Sequence, residues 1–525
     1  MAVRRARLSR KIFFTMLRFS LSAILLSAFL AAPCLAGSAA SATLPAAPPL
    51  VEALLVLRGT HDAPSTDLRR LAGSEQLPKT TRGRRVAELL TTQARESQQA
   101  LRAELERRAI EHRPFWIVNA VWVRTDAATL LALGARPDVE RVAANPRVRP
   151  DLGRATLDAA GAGSCPSAIG EGVAQLGAPA LWDLGIDGEG VVIGGQDTGY
   201  DWDHPALRDA YRGWDLGSGT VDHDYAWHDA IHSGGGVCGA DSPEPCDDNG
   251  HGTHTMGIAV ADDGVHRLGV APGARWIGCR NMDRGNGTPA TYLECLEWFL
   301  APTRVDGSEP DPARAPDVLI NSWICPPSEG CNDPDILREA VEALRAAGIF
   351  VVASAGNSGP SCGTITAPPA IYGDAFTVGA VNGDDDLTNF SSRGPVSVDG
   401  SGRIKPDLAA PGSSICSAAR GGGFTRISGT SMAGPHVAGL VALAVNALPC
   451  LRGRPGVIAD WLRDSAIERL DASACGGFGA VTPNAAFGFG SARATVPAAE
   501  RCDVLFGDGF ESGETAAWKG DGADG

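Results

Sequence analysis

Three short segments carry side chains that could do covalent chemistry together: Asp197-Thr198-Gly199, His251-Gly252-Thr253-His254 and Gly429-Thr430-Ser431-Met432-Ala433. A serine hydroxyl is a weak nucleophile at neutral pH. It becomes competent when an imidazole takes its proton and a carboxylate holds that imidazole in the right tautomer. The chain supplies one of each in a distinctive setting, in the order Asp, His, Ser. Unrelated folds string this triad differently along the chain, so the order itself narrows the architecture. The chemistry it predicts is acyl transfer.

Each residue has a plainer reading. Asp197, after an apolar run, could be a turn residue or helix cap, but DTG followed by His204-Pro205 is poorly explained that way. His251 and His254 could bind a metal, yet they lack the i, i+4 spacing and the glutamate of the zinc helix motif. Ser or Thr ahead of a helix is ordinarily an N-cap. That accounts for Thr430 or Ser431 alone, not for the whole run GTSMAGPH. Asn357 ends the apolar run IFVVASAGN, where Asn-Ser-Gly-Pro would otherwise signal a turn.

Taken together, VVIGGQDTGYDWDHPAL at 191–207, HGTHTMGIAV at 251–260, FVVASAGNSG at 350–359 and GTSMAGPHVAG at 429–439 resemble the subtilisin-like (subtilase) serine endopeptidases. The resemblance spans roughly residues 178–490. It implies Ser431 as nucleophile, His251 as general base, Asp197 as its orienter and His254 as structural. It also implies Asn357 as an oxyanion donor beside the Ser431 N–H. Substrate would pair in extended form with backbone at Ser322, Trp323 and Ile324 and at Ala353, Ser354, Ala355 and Gly356, which wall the first side-chain pocket. Isoleucine stands at 324 where glycine is usual in the family, so that wall either narrows or follows another backbone path. With PPSEGC after it and TAPPAIY at 366–372, this stretch is closest to the bacillopeptidase F-like branch.

Positioning such a site takes a scaffold, and the sequence outlines one. Apolar runs at Val191–Gly195, Ala274–Cys279, Val318–Ser322, Ile349–Ser354 and Ala375–Val381 alternate with helical stretches such as Pro334–Ala347 and Met432–Leu448. That alternation predicts an α/β domain whose parallel sheet is covered on both faces, with ligands at the carboxyl ends of the strands. Upstream, 50–58 reads as a strand, 84–112 as a charged helix, 115–124 as one alternating strand, Ala127–Leu133 as a helix and Val139–Pro146 as a strand. This run resembles the inhibitory propeptide of subtilases. The implied fold class is therefore a subtilisin-like three-layer α/β domain with a mainly parallel sheet, preceded by a small α+β ferredoxin-like propeptide.

The first 36 residues hold six basic side chains and no acid, then the apolar run Leu21–Ala32 and small residues at 34–37, the pattern of a secretory signal peptide. The expected order is then the propeptide over 37–150, a Gly/Ala/Ser-rich linker and processing region over 151–175, the catalytic domain over 176–495, and an acidic Gly-rich tail over 496–525. Setting Cys34 aside leaves an even set of the 13 cysteines, so disulfides are expected, with Cys238–Cys246 and Cys325–Cys331 close enough to close small loops.

Residues 37–150 carry 17 Lys and Arg against 12 Asp and Glu; with a net charge of −15 overall, residues 151–525 hold −26. An acidic body argues against nucleic-acid and anionic-membrane binding, and opposite signs favour contact between the two parts. The expected partners are polypeptide substrates and the chain's own propeptide, with no nucleic acid, no stable membrane anchor and a monomeric state. No cofactor is required for the chemistry. Structural calcium is an option at Asp247-Asp248 and Asp384-Asp385-Asp386, against solvated acidic loops. Two other classes remain open at this point: a binding protein on a degenerate protease scaffold, and an esterase using the same nucleophile.

Overall fold

The structure is a computed structural model. It describes residues 48–145 except 60–67, 69 and 72, then Cys165, then 168–503 except 327–330, 471–474 and 476–480. The expected signal segment, most of the linker and the tail beyond 503 lie outside the described residues.

The N-terminal part runs β1 (Leu50–Leu57), α1 (Lys79–Arg107), β2 (Glu111–Phe115), β3 (Ala120–Asp126), α2 (Ala127–Gly134) and β4 (Val139–Ala144). Its four strands form an antiparallel sheet in the order β2-β3-β1-β4, the ferredoxin-like arrangement. Leu101 and Leu105 of α1 meet Leu55, Leu57, Val121 and Val123 of the sheet in one apolar cluster. The Asp126 carboxylate accepts from Thr129 N at 3.0 Å and so caps α2.

One expectation is corrected here. The strand expected over 115–124 is a hairpin, with Phe115 opposite Ala120 and residues 116–119 forming its turn. Asn119 takes φ = +46°, a left-handed conformation that asparagine tolerates better than most residues. The apolar alternation runs on through the turn because Ile117 and Val118 are also buried, which disguises the reversal. The helix correspondingly ends at Arg107, not 112, and starts earlier, at Lys79 behind Pro78.

The larger part is built on seven strands: β5 (Val192–Asp197), β6 (Trp227–Asp229), β7 (Arg275–Arg280), β8 (Val318–Asn321), β9 (Phe350–Ser354), β10 (Phe376–Val381) and β11 (Leu408–Pro411). They lie in the order β11-β10-β9-β8-β5-β7-β6, each pair parallel. Every residue of β8, β9 and β10 is buried, as a sheet covered on both faces requires. The covering helices include α3 (His251–Val260), α4 (Pro289–Leu300), α5 (Arg338–Ala346) and α6 (Thr430–Ala447). Helix α6 packs along β8 to β11 and against α3. Both α3 and α6 are buried almost throughout, so neither shows an amphipathic period. A hairpin of β12 (Ile415–Ala418) and β13 (Phe424–Ile427) lies against α3.

The chain order reverses at β5, which pairs with β7 on one side and β8 on the other. Crevices of open α/β sheets form at the carboxyl ends of the strands flanking such a point.

The two parts share one apolar cluster, with Val86, Leu90, Phe115 and Ile117 in it beside Leu293, Leu296 and Leu344, and ion pairs join them as well. Lys79 Nζ lies 2.8 Å from Asp317 Oδ1, Arg141 Nε lies 3.1 Å from Asp333, and Arg113 pairs with Glu294 of α4. Glu297, one turn further along α4, accepts from Trp116 N and Ile117 N at 2.6 and 3.0 Å. Burial at this contact pushes its carboxyl up to about 8, outweighing the two amide donors. The charge asymmetry in the sequence accounts for the three ion pairs only; the rest of the contact is apolar or hydrogen-bonded.

Twelve cysteines form six disulfides: Cys165–Cys416, Cys238–Cys246, Cys279–Cys295, Cys325–Cys331, Cys362–Cys475 and Cys450–Cys502. The two short loops are among them. The last residues of the expected linker form a helix, Glu171–Leu176, against the body, and Leu176 O accepts from Ala494 N at 2.8 Å. Among the described residues no helix is long and apolar enough to cross a membrane.

Candidate active site

Asp197 is the last residue of β5 and His251 the first of α3. Both carboxylate oxygens face His251 Nδ1, at 2.8 and 2.9 Å, and both side chains are buried. Oδ1 also accepts from Thr198 N at 2.7 Å, which fixes the carboxylate plane. An acceptor at Nδ1 keeps the proton there and turns Nε2 into the basic nitrogen. That Nε2 is buried and bonded to no group among the described residues.

Ser431 stands in the first turn of α6, whose leading N–H groups have no intrahelical acceptor. Its hydroxyl donates to Ser322 O at 2.9 Å. Ser322 directly follows Asn321 of β8, and Asn321 is in register with Gln196, the residue before Asp197. Adjacent strands lie about 4.8 Å apart, so the carboxylate and the backbone that receives the Ser431 hydroxyl sit side by side at one sheet rim.

The start of α6 is held from two strand ends. Ser322 Oγ donates to Ser431 O at 2.9 Å and Ser354 Oγ to Thr430 O at 3.0 Å. Gly356 N donates to Thr430 Oγ1 at 3.1 Å. Asn357 Oδ1 accepts from Thr430 N and Oγ1 at 2.9 and 3.1 Å. Since the carbonyl end of that amide is fixed by Thr430, its NH2 lies on the opposite branch of the planar group.

The remaining residues of interest from the sequence lie beside these. Trp323 is buried and stacks on Tyr292 with ring centroids 3.8 Å apart and an interplanar angle of 7°. Ile324 keeps its side chain pointed at the other wall: its Cδ1 is 3.2 Å from where a side-chain carbon on Gly356 would start. Gly356 takes φ = +97°, a conformation costly for other residues. Ala353 lies in β9, and Ala355 N donates to Val378 O at 3.0 Å. His254 is fully buried, with Nε2 3.2 Å from both Ile415 O and Thr425 O. Burial pushes its imidazole down to about 3, so it is neutral at ordinary pH.

Two groups of supporting residues escape the sequence reading. Asp247 accepts from Thr198 Oγ1, Asn249 N, Gly250 N, Thr253 N and Thr253 Oγ1 at 2.6–3.1 Å, and Thr198 Oγ1 accepts from Gly252 N. This carboxylate ties the start of α3 to the end of β5. An acid three residues ahead of Gly250-His251 is the signal that could have found it, as a capping group at a helix N-terminus. Beneath the rim runs a buried amide chain: Asn281 Nδ2 to Gln196 Oε1 at 2.8 Å, Gln196 Nε2 to Asn321 Oδ1 at 2.6 Å, and Asn321 Nδ2 to Val352 O at 3.0 Å. Nothing in the local pattern announces it.

One acid in each acidic cluster is held in ion pairs. Asp248 pairs with buried Arg280 at 3.1 Å, and Asp385 pairs with Arg469 and Arg493. Among the described residues no group of three or more His, Cys, Asp or Glu is gathered as a metal site.

The sequence is similar to those of known proteins. The profile described as "Subtilase family" matches residues 188–490, more than half the chain. Bacillopeptidase F of Bacillus subtilis (strain 168) is 36% identical over 342 residues, covering 63% of this chain and 22% of that protein. Subtilisin E of the same organism is 29% identical over 306 residues, covering 58% and 65%. Thermophilic serine proteinase of Bacillus sp. (strain AK1) is 34% identical over 267 residues, covering 50% and 54%. The chain therefore spans about a fifth of the first relative and less than two thirds of the other two. The matched span runs from just before β5 to beyond α6 and contains the Asp197–His251 pair and Ser431: this chain belongs to the subtilase family.

Proposed function

We propose that the protein is a serine endopeptidase that cuts polypeptides through an acyl-enzyme on Ser431. The observation that carries this reading is the Asp197 carboxylate clasping His251 Nδ1 while Ser431 stands at the start of α6 on the same rim. In the reaction the Ser431 hydroxyl leaves Ser322 O for His251 Nε2, the ring nitrogen that holds no other partner among the described residues. Oγ then attacks the scissile carbonyl carbon and its proton passes to Nε2. The imidazolium is stabilised by Asp197, and the carbonyl oxygen, now negative, takes donors from Ser431 N and the Asn357 amide. When the tetrahedral centre collapses, the carbon–nitrogen bond breaks and the amine leaves with the proton from His251. Water, deprotonated by the same imidazole, hydrolyses the ester and restores the serine.

The chain is made, on this reading, as a self-processing secreted zymogen. The disulfides support an oxidising destination. The N-terminal part, docked through Arg113, Glu297 and Lys79, is the inhibitory propeptide, and cleavage falls in the linker after it.

The experiment is labelling with a fluorophosphonate alongside casein hydrolysis. Label on Ser431, casein cleavage by the native chain, and loss of both in Ser431→Ala are expected, with the Ser431→Ala precursor remaining uncut. Casein cleavage unchanged by Ser431→Ala would overturn the reading. Turnover of simple esters without casein would reassign it as an esterase.

A further inference from the structure

We infer that Ile324 sets side-chain selectivity by stopping the slot beside the nucleophile, so that the residue on the acyl side of the cut bond must be glycine, alanine or serine. This rests on the endopeptidase reading and names the substrate class of that site.

The slot follows from the geometry. Ser431 Oγ bonds to Ser322 O, and Asn357 holds Thr430, so the reacting carbonyl must lie between the chain leaving β8 and the chain leaving β9. A side chain on the neighbouring carbon projects between Ser322–Ile324 and Ala355–Gly356. Gly356 opens space on its side. Ile324 and Ser392 share that space: Ile324 Cδ1 comes within 3.2 Å and Ser392 Oγ within 3.0 Å of where a Gly356 side chain would begin, and Ile324 is only 8% exposed.

Neither wall can retreat easily. Trp323 is sandwiched on Tyr292, Cys325 N donates to Pro368 O at 2.8 Å, and Cys325 is crosslinked to Cys331. Ile324 is thus anchored on both sides in sequence. Opposite it, Gly356 N is bonded to Thr430 Oγ1 and Gly356 O accepts from Ser392 N at 2.9 Å. Cores and packed walls of this kind do not deform by a ring's width, because their packing is close to that of a crystal. Of the two outcomes open for this isoleucine, these contacts favour the narrowed wall.

The chain's own linker fits such a slot. Residues 159–164 read Ala-Ala-Gly-Ala-Gly-Ser, just ahead of Cys165. Every bond in that run offers a small residue on its acyl side.

The test uses the processed protein and a series of fluorogenic peptides differing only at the residue before the cut. The native protein should favour Ala over Phe in kcat/KM by about tenfold or more, the scale at which a pocket resolves a few carbon atoms. Ile324→Gly should shift the Phe-to-Ala ratio towards Phe by at least as much. Ile324→Val, which removes one carbon and preserves the fold, should move the ratio part of the way. The new amino terminus should follow a residue within 159–164. A native preference for Phe or Leu, an unchanged ratio in both variants, or processing after Arg154 or Leu157 would overturn the slot alone. Failure of the native protein to cut the peptides and casein alike would overturn the endopeptidase reading and the slot with it.

Discussion

Gln196 and Asn321 face each other across the β5–β8 pair, and their side-chain amides are joined at 2.6 Å inside the protein. Each precedes a residue of the site: Asp197 on one strand and Ser322 on the other. The amide chain continues to Asn281 and to Val352 O, linking β7, β5, β8 and β9 near the rim that carries Asp197 and Ser322. Buried amides of this kind favour one register, because a slip would leave donors without partners.

Asn321→Leu should therefore destabilise the protein by about 1–3 kcal/mol, the cost of stranding buried polar partners. Adding Gln196→Leu should cost less than the sum of the two single changes, since the first has already broken the shared bond. Urea unfolding midpoints of the two single variants and the double variant check this. Strict additivity would mean that the bond contributes nothing.

Asp197→Asn should keep the shape of the site and remove its charge. An amide can present NH2 to His251 and favour the wrong tautomer, so kcat should fall by about 10⁴-fold. KM should change little, because Asp197 lies behind the imidazole and away from any substrate. Steady-state kinetics on a peptide substrate separates the two parameters.

Asn357→Ala should lower kcat by about 10²–10³-fold through loss of one oxyanion donor. Fluorophosphonate labelling should slow in parallel, as it forms a similar anionic centre. Because Asn357 Oδ1 also holds Thr430, Asn357→Asp is the informative companion. It keeps that acceptor and loses the donor, and should be no more active than Asn357→Ala.

Docking of the N-terminal part should weaken as pH rises. Glu297 has an ordinary value of 4.5 and stands at about 8 in the docked state. The docked form thus binds a proton that the undocked form has lost, so the stabilisation is complete below about 4.5 and disappears between there and about 8. Hydrogen exchange at the Trp116 and Ile117 amides, corrected for intrinsic rate and read in the uncut Ser431→Ala chain, should accelerate over that window. Glu297→Gln keeps an acceptor for both amides and should flatten the dependence.

Much of this molecule was legible before any coordinates. Strands β5, β7, β8, β9 and β10 fall within two residues of the apolar runs that predict them, because fully buried parallel strands leave unbroken apolar stretches. The hairpin at 116–119 was hidden for the opposite reason: its turn is apolar as well, so nothing polar marks the reversal. Asp197, His251 and Ser431 stand in motifs dense enough to outweigh a turn or a cap. Asp247 looked like a solvated acid or a cation ligand, and only its five donors show that it holds α3 in place. Gln196, Asn281 and Asn321 are scattered singly through apolar runs, and only strand pairing makes them a chain. Ile324 was marked as unusual, but whether it narrowed the wall or bent the backbone depended on Trp323, Cys325 and Gly356 around it.

The position of β5 in the sheet has a consequence for how the molecule is made. This strand is synthesised first of the seven, yet both its neighbours, β7 and β8, come later in the chain. The nascent polypeptide carries Asp197 on a ribbon whose two hydrogen-bonding edges stay bare until those partners emerge. Ser431 arrives after all seven strands, on the helix that packs against five of them. A half-made copy therefore holds the Asp197 carboxylate and the His251 imidazole without the Ser431 hydroxyl, and the three share one molecule only after all seven strands have been made.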